Sequence, residues 1–448
     1  MKRLLGALLL VIGLAAPGVR AQSPLVVQDQ GVTLEFPDRL TFKAHVAGSA
    51  GIDRVILEYG VEKLTCGTVI AKAFPHVDAG SAADVSWTWE MHKSGSEPPG
   101  ARIWYRWRAT DKAGHETVSD KHDVLWLDHQ HAWQSLTRDK LTLHWYAGSS
   151  SFAQGLLDSA VGSLQQLKQT TGVVLAWPTD LYIYDNTAAM QGAVLYQPGW
   201  TGGLAYPTND IVLIGISPQQ VDWGKRTEAH ELTHVLVGHL AFSCLSSIPT
   251  WLNEGIAVYG EGGPEASSRT QLQQAISANK LMSVRSLSGG FSEDPGKADL
   301  SYSESYSLVN FLITQYGQPR IIKLFGDLRD GMKIDDALSD AEGLSLDTLE
   351  DRWRTAVGAP PRPASASPVA TMLPTAVPTY RPISGAPLPP TAVAAAIPPA
   401  AAPGVSFVRS SDLPIIPLLL GGAAAGLVAC IAGLVGIFFV LSQRRKHR

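Results

Sequence analysis

The 448-residue chain has only 3 cysteines, too few for the disulfide framework that holds small secreted domains together. Cys430 lies in a long apolar run near the carboxyl end; Cys66 and Cys244 either pair between domains or stay free, and free thiols are the expectation because nothing in the sequence brings the two together. Charge is sparse as well. The formal net charge is -4, and basic residues do not cluster before the last few positions, so nucleic acid is not an indicated partner. No Leu-Pro-x-Thr-Gly sorting motif stands near the carboxyl end, and the basic terminus is unlike the apolar tail of a lipid-anchor signal.

What the two ends do carry is a targeting pattern. Lys2 and Arg3 precede an apolar run from Leu4 to Ala16 and the small-x-small site Val19-Arg20-Ala21, so residues 1–21 read as a secretory signal peptide. Residues 413–441 read as a transmembrane helix. Within them Leu418–Leu441 is 24 residues without a charge, long enough at about 1.5 Å per residue to cross a hydrocarbon core of about 30 Å. The basic tail, 442–448, resists translocation and is expected in the cytoplasm, giving a single-pass cell-membrane protein whose amino-terminal part is extracellular. Residues 359–412 form a Pro/Ala-rich stalk: 13 of the 29 prolines fall within 359–404, where no hydrophobic period exists to build a core.

The rest of the chain divides in two. Residues 24–130 read as six or seven short strands separated by turns, a β-sandwich loosely like a fibronectin III or immunoglobulin module. Its clearest strand places Ile103, Tyr105, Trp107 and Ala109 on one face and Arg102, Trp104, Arg106 and Arg108 on the other. That second face is either a solvated sheet surface or a binding face. Residues 131–358 change character: short strands come first and amphipathic helices follow, which is an α+β order.

The chemistry is concentrated in His230-Glu231-Leu232-Thr233-His234 and in Glu254 of Trp251-Leu252-Asn253-Glu254-Gly255. Residues four apart on a helix share a face, so His230 and His234 can hold one metal ion. Glu231 sits about 100° round the helix, off the ligand face but able to reach a water. Catalytic zinc takes three protein ligands, and Glu254 supplies the third. By composition alone, the first string arises on the order of once in a hundred such chains. His239, five residues past His234, is off the ligand face and reads as solvated or packed.

Together these two strings resemble the gluzincin metallopeptidases, the group of thermolysin and aminopeptidase N, and most of all the peptidase MA-like domains. The resemblance covers residues 131–358. It implies Zn²⁺ bound by His230, His234 and Glu254, with Glu231 as the general base. It also implies a tyrosine that donates to the oxyanion from the start of a helix; Tyr302 in Tyr302-Ser303-Glu304-Ser305 is the candidate and Tyr306 its rival. One departure concerns specificity. Aminopeptidases of this group hold the free amino terminus with an acid just upstream of the zinc motif, whereas Gly202-Gly203-Leu204-Ala205-Tyr206-Pro207 has none. The strand Ile211–Ile216 that follows is either a peptide-pairing edge or part of a plain glycine-rich turn. The expectation is a membrane-anchored extracellular zinc metallopeptidase acting on peptides or proteins through a metal-polarised water and Glu231. The alternative is a non-catalytic receptor or adhesin with a structural metal site.

Overall fold

Period-two alternation builds the amino-terminal region from β1 (Val26–Glu35), β2 (Arg39–Ala47), β3 (Ile52–Val61), β4 (Ala71–Ala73), β5 (Ala82–Glu90), β6 (Ala101–Asp111), β7 (Glu116–Val118) and β8 (His122–Trp126), with one helical turn, α1 (Met91–Ser94), before β6. One sheet has the order β1-β2-β5; the other runs β4-β3-β6-β7, with β8 also paired to β6. Leu40, Phe42, Ala44 and Val46 of β2 point into the same core as Ile103, Tyr105, Trp107 and Ala109 of β6, the face predicted to be buried. On the opposite face of β6, Arg106 and Arg108 donate to buried Glu58 at 2.7 and 3.1 Å, and Lys121 lies over the Trp104 ring at 5.1 Å. Those arginines are engaged inside the protein.

The structure is a computed structural model that describes residues 25–362, apart from 95, 196–201 and 293. The expected signal peptide, transmembrane helix and basic tail, and the stalk from residue 363 onward, lie outside the described residues. Among the described residues no helix is long and apolar enough to cross a membrane.

The second region opens with β9 (Gln134–Arg138), β10 (Leu141–Trp145), α2 (Ser150–Thr171), β11 (Thr179–Tyr184), α3 (Thr187–Gly192), β12 (Gly203–Tyr206) and β13 (Ile211–Gly215). The sheet order is β12-β13-β11-β10-β9, parallel from β10 to β13 through β11, with antiparallel strands at both edges. The helices that follow are α4 (Val221–Leu240), α5 (Thr250–Gly260), α6 (Ala266–Ser277), α7 (Val284–Leu287), α8 (Pro295–Tyr316), α9 (Gln318–Arg329), α10 (Ile334–Glu342) and α11 (Leu346–Ala356). One sheet face packs on α2 and α4 through Leu156, Leu157, Leu232 and Val235. The other, through Tyr182, Tyr184 and Leu213, joins Leu127 and Phe36 of the first region. A separate core around Trp251, Leu312, Phe325 and Trp353 holds the helical half. A sheet-rich region followed by a mainly helical domain is therefore the observed order.

Several details differ from the sequence expectations. Strand Ile211–Gly215 is interior, paired on both sides, and among the described residues the edge beyond it is the glycine-bearing β12. Helix α8 begins at Pro295, about two turns before Tyr302, the expected helix start, because the Asp294 side chain accepts from Lys297 N at 3.0 Å and proline suits a first helical turn. Cys66 and Cys244 are not free thiols: they form a disulfide with Cα atoms 5.6 Å apart, across a sequence separation of 178. The loop after β3 lies on the loop after α4, a proximity that exists only in the folded chain.

Candidate metal centre

Helix α4 is buried nearly all round. Leu232, Val235 and Leu236 face the sheet, which turns His230 and His234 toward α5 and Glu254. The ligand-capable atoms of His230, His234 and Glu254 all lie within 4.8 Å of one another, and all three residues are buried. His230 Nε2 is 3.4 Å and His234 Nε2 3.5 Å from Glu254 Oε2. The edges of a tetrahedron with bonds of about 2.1 Å measure about 3.4 Å, so these separations fit a zinc ion. His230 Nε2 is also buried without a hydrogen-bond partner, a cost that a ligand would remove.

The far nitrogens are held. His230 Nδ1 donates to Glu261 Oε1 at 2.5 Å, and Arg226 donates to Glu261 Oε2 at 2.7 Å and to the Gly263 carbonyl at 3.0 Å. His234 Nδ1 donates to Asn253 Oδ1 at 3.2 Å. Such partners fix the tautomer and leave both Nε2 atoms to the centre. Burial tends to raise the Glu254 carboxyl, but His234 and His230 overcome it and hold Glu254 at about 2. Burial tends to lower His230, and Glu254 and Glu261 outweigh it, so its pKa stands well above the ordinary value.

Glu231 differs in kind. It is fully buried, and neither carboxylate oxygen has a hydrogen-bond partner. Burial raises its pKa to about 7 against the opposing pull of His230 and His234. Strand β12 passes directly beside it: a Cβ at Gly203 would stand 2.9 Å from Glu231 Oε1 and 2.7 Å from Thr227 Cγ2, so only glycine fits without displacing the carboxylate. A second close approach sets the helices. A Cβ at Gly255 would lie 2.3 Å from the Ser305 carbonyl oxygen, so the glycine after Glu254 lets α5 cross α8 closely. That crossing brings Tyr302, two turns into α8, to a ring separation of 6.2 Å from His230. Tyr306 instead faces Tyr259, with ring centroids 6.1 Å apart, and approaches Gly263. His239 is buried, pairing with Asp210 and lying edge-on to Trp177, so the packed option holds.

All four residues of the two motifs thus meet at one point. Glu261, Arg226 and the role of Asn253 are not in the sequence reading. The available signal is that Glu261 follows Glu254 by seven residues, about two helical turns, and so returns toward the same face.

A sheet-and-helix domain that draws a His-Glu-x-x-His helix and a downstream glutamate to one buried point has the layout of a metallopeptidase. Residues 159–359 match the Peptidase MA superfamily model, which supports the peptidase MA-like domain that the motif resemblance implies. No curated protein matches the chain. Among solved structures, aminopeptidase A of Legionella pneumophila, in complex with aspartic acid, shares 13% identity at a TM-score of 0.32, covering 75% of this chain and 49% of its own. A two-domain M1 zinc metallopeptidase mutant bound to L-tryptophan gives 11% and 0.30, covering 73% and 94%. The M1 zinc metallopeptidase from Deinococcus radiodurans gives 11% and 0.29, covering 80% and 97%. The chain spans about half the length of the Legionella protein.

Proposed function

We propose that this protein is a zinc-dependent peptidase in which His230, His234 and Glu254 hold the metal and Glu231 is the general base. The observation that carries the reading is Glu231 itself: a buried carboxylate with no hydrogen-bond partner, beside a three-member ligand group, has no structural role to repay its desolvation. Zinc, when bound, supplies Lewis acidity toward water and the scissile carbonyl. Glu231 takes the proton from the attacking water and returns it to the leaving amine. Tyr302 donates toward the developing oxyanion. Strand β12 is the open sheet edge next to Glu231 and pairs with an extended peptide through its backbone. Three ligands rather than four among the described residues favour catalysis over a structural strut.

The sheet order β1-β2-β5 against β4-β3-β6-β7 supports a fibronectin III-like β-sandwich for residues 24–130, with the peptidase domain at 131–358. The Cys66–Cys244 disulfide supports an oxidising, extracellular setting. With it go the signal peptide, stalk, single membrane helix and cytoplasmic tail. In intact cells, added protease should release a soluble fragment by cutting between Ala359 and Gly404 while a tag after Arg448 stays protected; an outwardly accessible tag contradicts this topology. For the enzyme, a diverse peptide mixture incubated with and without chelator, read by mass spectrometry, should show chelator-sensitive cleavage. Zinc-loaded protein that cuts nothing would return the reading to a receptor with a structural metal.

A further inference from the structure

A loop of the first region reaches toward the site. Residues 62–70, between β3 and β4, touch the peptidase domain at two places that matter for catalysis. Leu64 N donates to the Thr208 carbonyl at 2.8 Å, in the turn that joins the edge strand β12 to β13. Two residues on, Cys66 is bonded to Cys244, in the connection between α4, which bears His230, Glu231 and His234, and α5, which bears Glu254. The same turn is gripped from the other side by the end of α4. His239 pairs with Asp210, and a Cβ at Gly238 would lie 2.3 Å from Pro207 Cβ, so helix and turn are in direct contact.

We infer that this loop is a clasp that positions the substrate edge against the metal-ligand helices, making the β-sandwich part of the peptidase's binding apparatus. Among the described residues β12 has a sheet partner on one side only, and it spans just Gly203–Tyr206. Short edge strands of this kind open easily unless their ends are tied. Its carboxyl-terminal turn is tied to the sandwich by Leu64, and the sandwich loop is tied covalently to the connection between the ligand helices. The clasp therefore sets how far the peptide-pairing edge stands from Glu231. Leu64 and Cys66 are positioning residues for extended substrates. This rests on the peptidase reading above.

The test opens the disulfide in the full-length protein, by Cys66→Ser/Cys244→Ser and, in case that variant folds poorly, by mild reduction of the wild type with thiols counted. Amide hydrogen exchange at Gly203–Tyr206 should quicken roughly tenfold, a readout that needs no turnover. The KM for a peptide of eight or more residues should rise roughly fivefold while kcat stays within about twofold, the pattern of lost binding that is uniform along the reaction. Zinc content should not change. Unaltered exchange and KM with the disulfide open overturn the clasp. So does loss of zinc and kcat at constant KM, which would mean that the bond holds the ligand helices and not the edge. Wild type that cleaves nothing sinks the peptidase reading alone, because the exchange result still decides this one.

Discussion

Glu58 in the amino-terminal sheets and Glu231 in the peptidase domain are both buried carboxylates, and the chain treats them in opposite ways. Burial alone would raise Glu58, but hydrogen bonds from Arg108 and Arg106 hold it below its ordinary value, and Lys72 stands 3.6 Å away. Glu231 receives no such donors and rises to about 7. The first pattern is how a fold satisfies a charge that it has buried. The second leaves a buried carboxylate that nothing neutralises beside the candidate ligand group, which suits the proposed general base. A buried carboxylate without partners, as Glu228 and Glu342 also are, becomes informative about function when it stands beside a ligand group, as Glu231 does.

The comparison breaks first at the metal. His234→Ala should lose zinc and with it nearly all turnover, because two remaining ligands hold zinc poorly; full zinc retention, measured by atomic absorption, rejects the site. No substitution at Glu58 should alter zinc content. Next in size, Tyr302→Phe should lower kcat about tenfold or more with KM nearly unchanged, the mark of one lost oxyanion donor. Tyr306→Phe, on the ring that faces Tyr259, should leave both constants near wild type.

Stability should move in opposite directions at the two carboxylates. Glu58→Gln should cost about 1–3 kcal/mol in denaturant unfolding, since it leaves charged donors imperfectly paired. In the metal-free protein Glu231 has a raised folded pKa, so between the ordinary value of 4.5 and about 7 the folded state holds more protons than the unfolded state and stability falls as pH rises. Glu231→Gln should therefore stabilise the metal-free protein above pH 7 and flatten that slope; a variant less stable than wild type there contradicts the contrast. The smallest effect is at the substrate's amino terminus. From Ala193 to Asn209 the sequence has no acid, so N-acetylating a long peptide should change kcat/KM by no more than about twofold. Loss of cleavage on acetylation would point to an aminopeptidase instead.

The candidate metal centre was legible because its information is local. Helical spacing alone puts His230 and His234 on one face, and Glu231 off it, and the sandwich strands announced themselves by alternation, as in Ile103, Tyr105, Trp107 and Ala109. What escaped depends on tertiary approach. Glu261 completes the shell around His230 only because α5 lies along α4, and Cys66 meets Cys244 only because two distant loops converge. Strand β12, four residues beginning with glycine, is too short and too plain to show a period, yet it runs directly beside Glu231. The early start of α8 was written in Asp294-Pro295, a capping signal that the apolar spacing farther on overshadowed.

The central claim is that Glu231 is a base and not a strut or ligand, and one side-by-side assay tests it. Zinc-loaded wild type and Glu231→Gln are incubated with the same peptide library, with metal content and cleavage rate measured on each. The account predicts equal zinc and a rate at least about 10²-fold lower in the variant. Equal cleavage rates at equal zinc would contradict it.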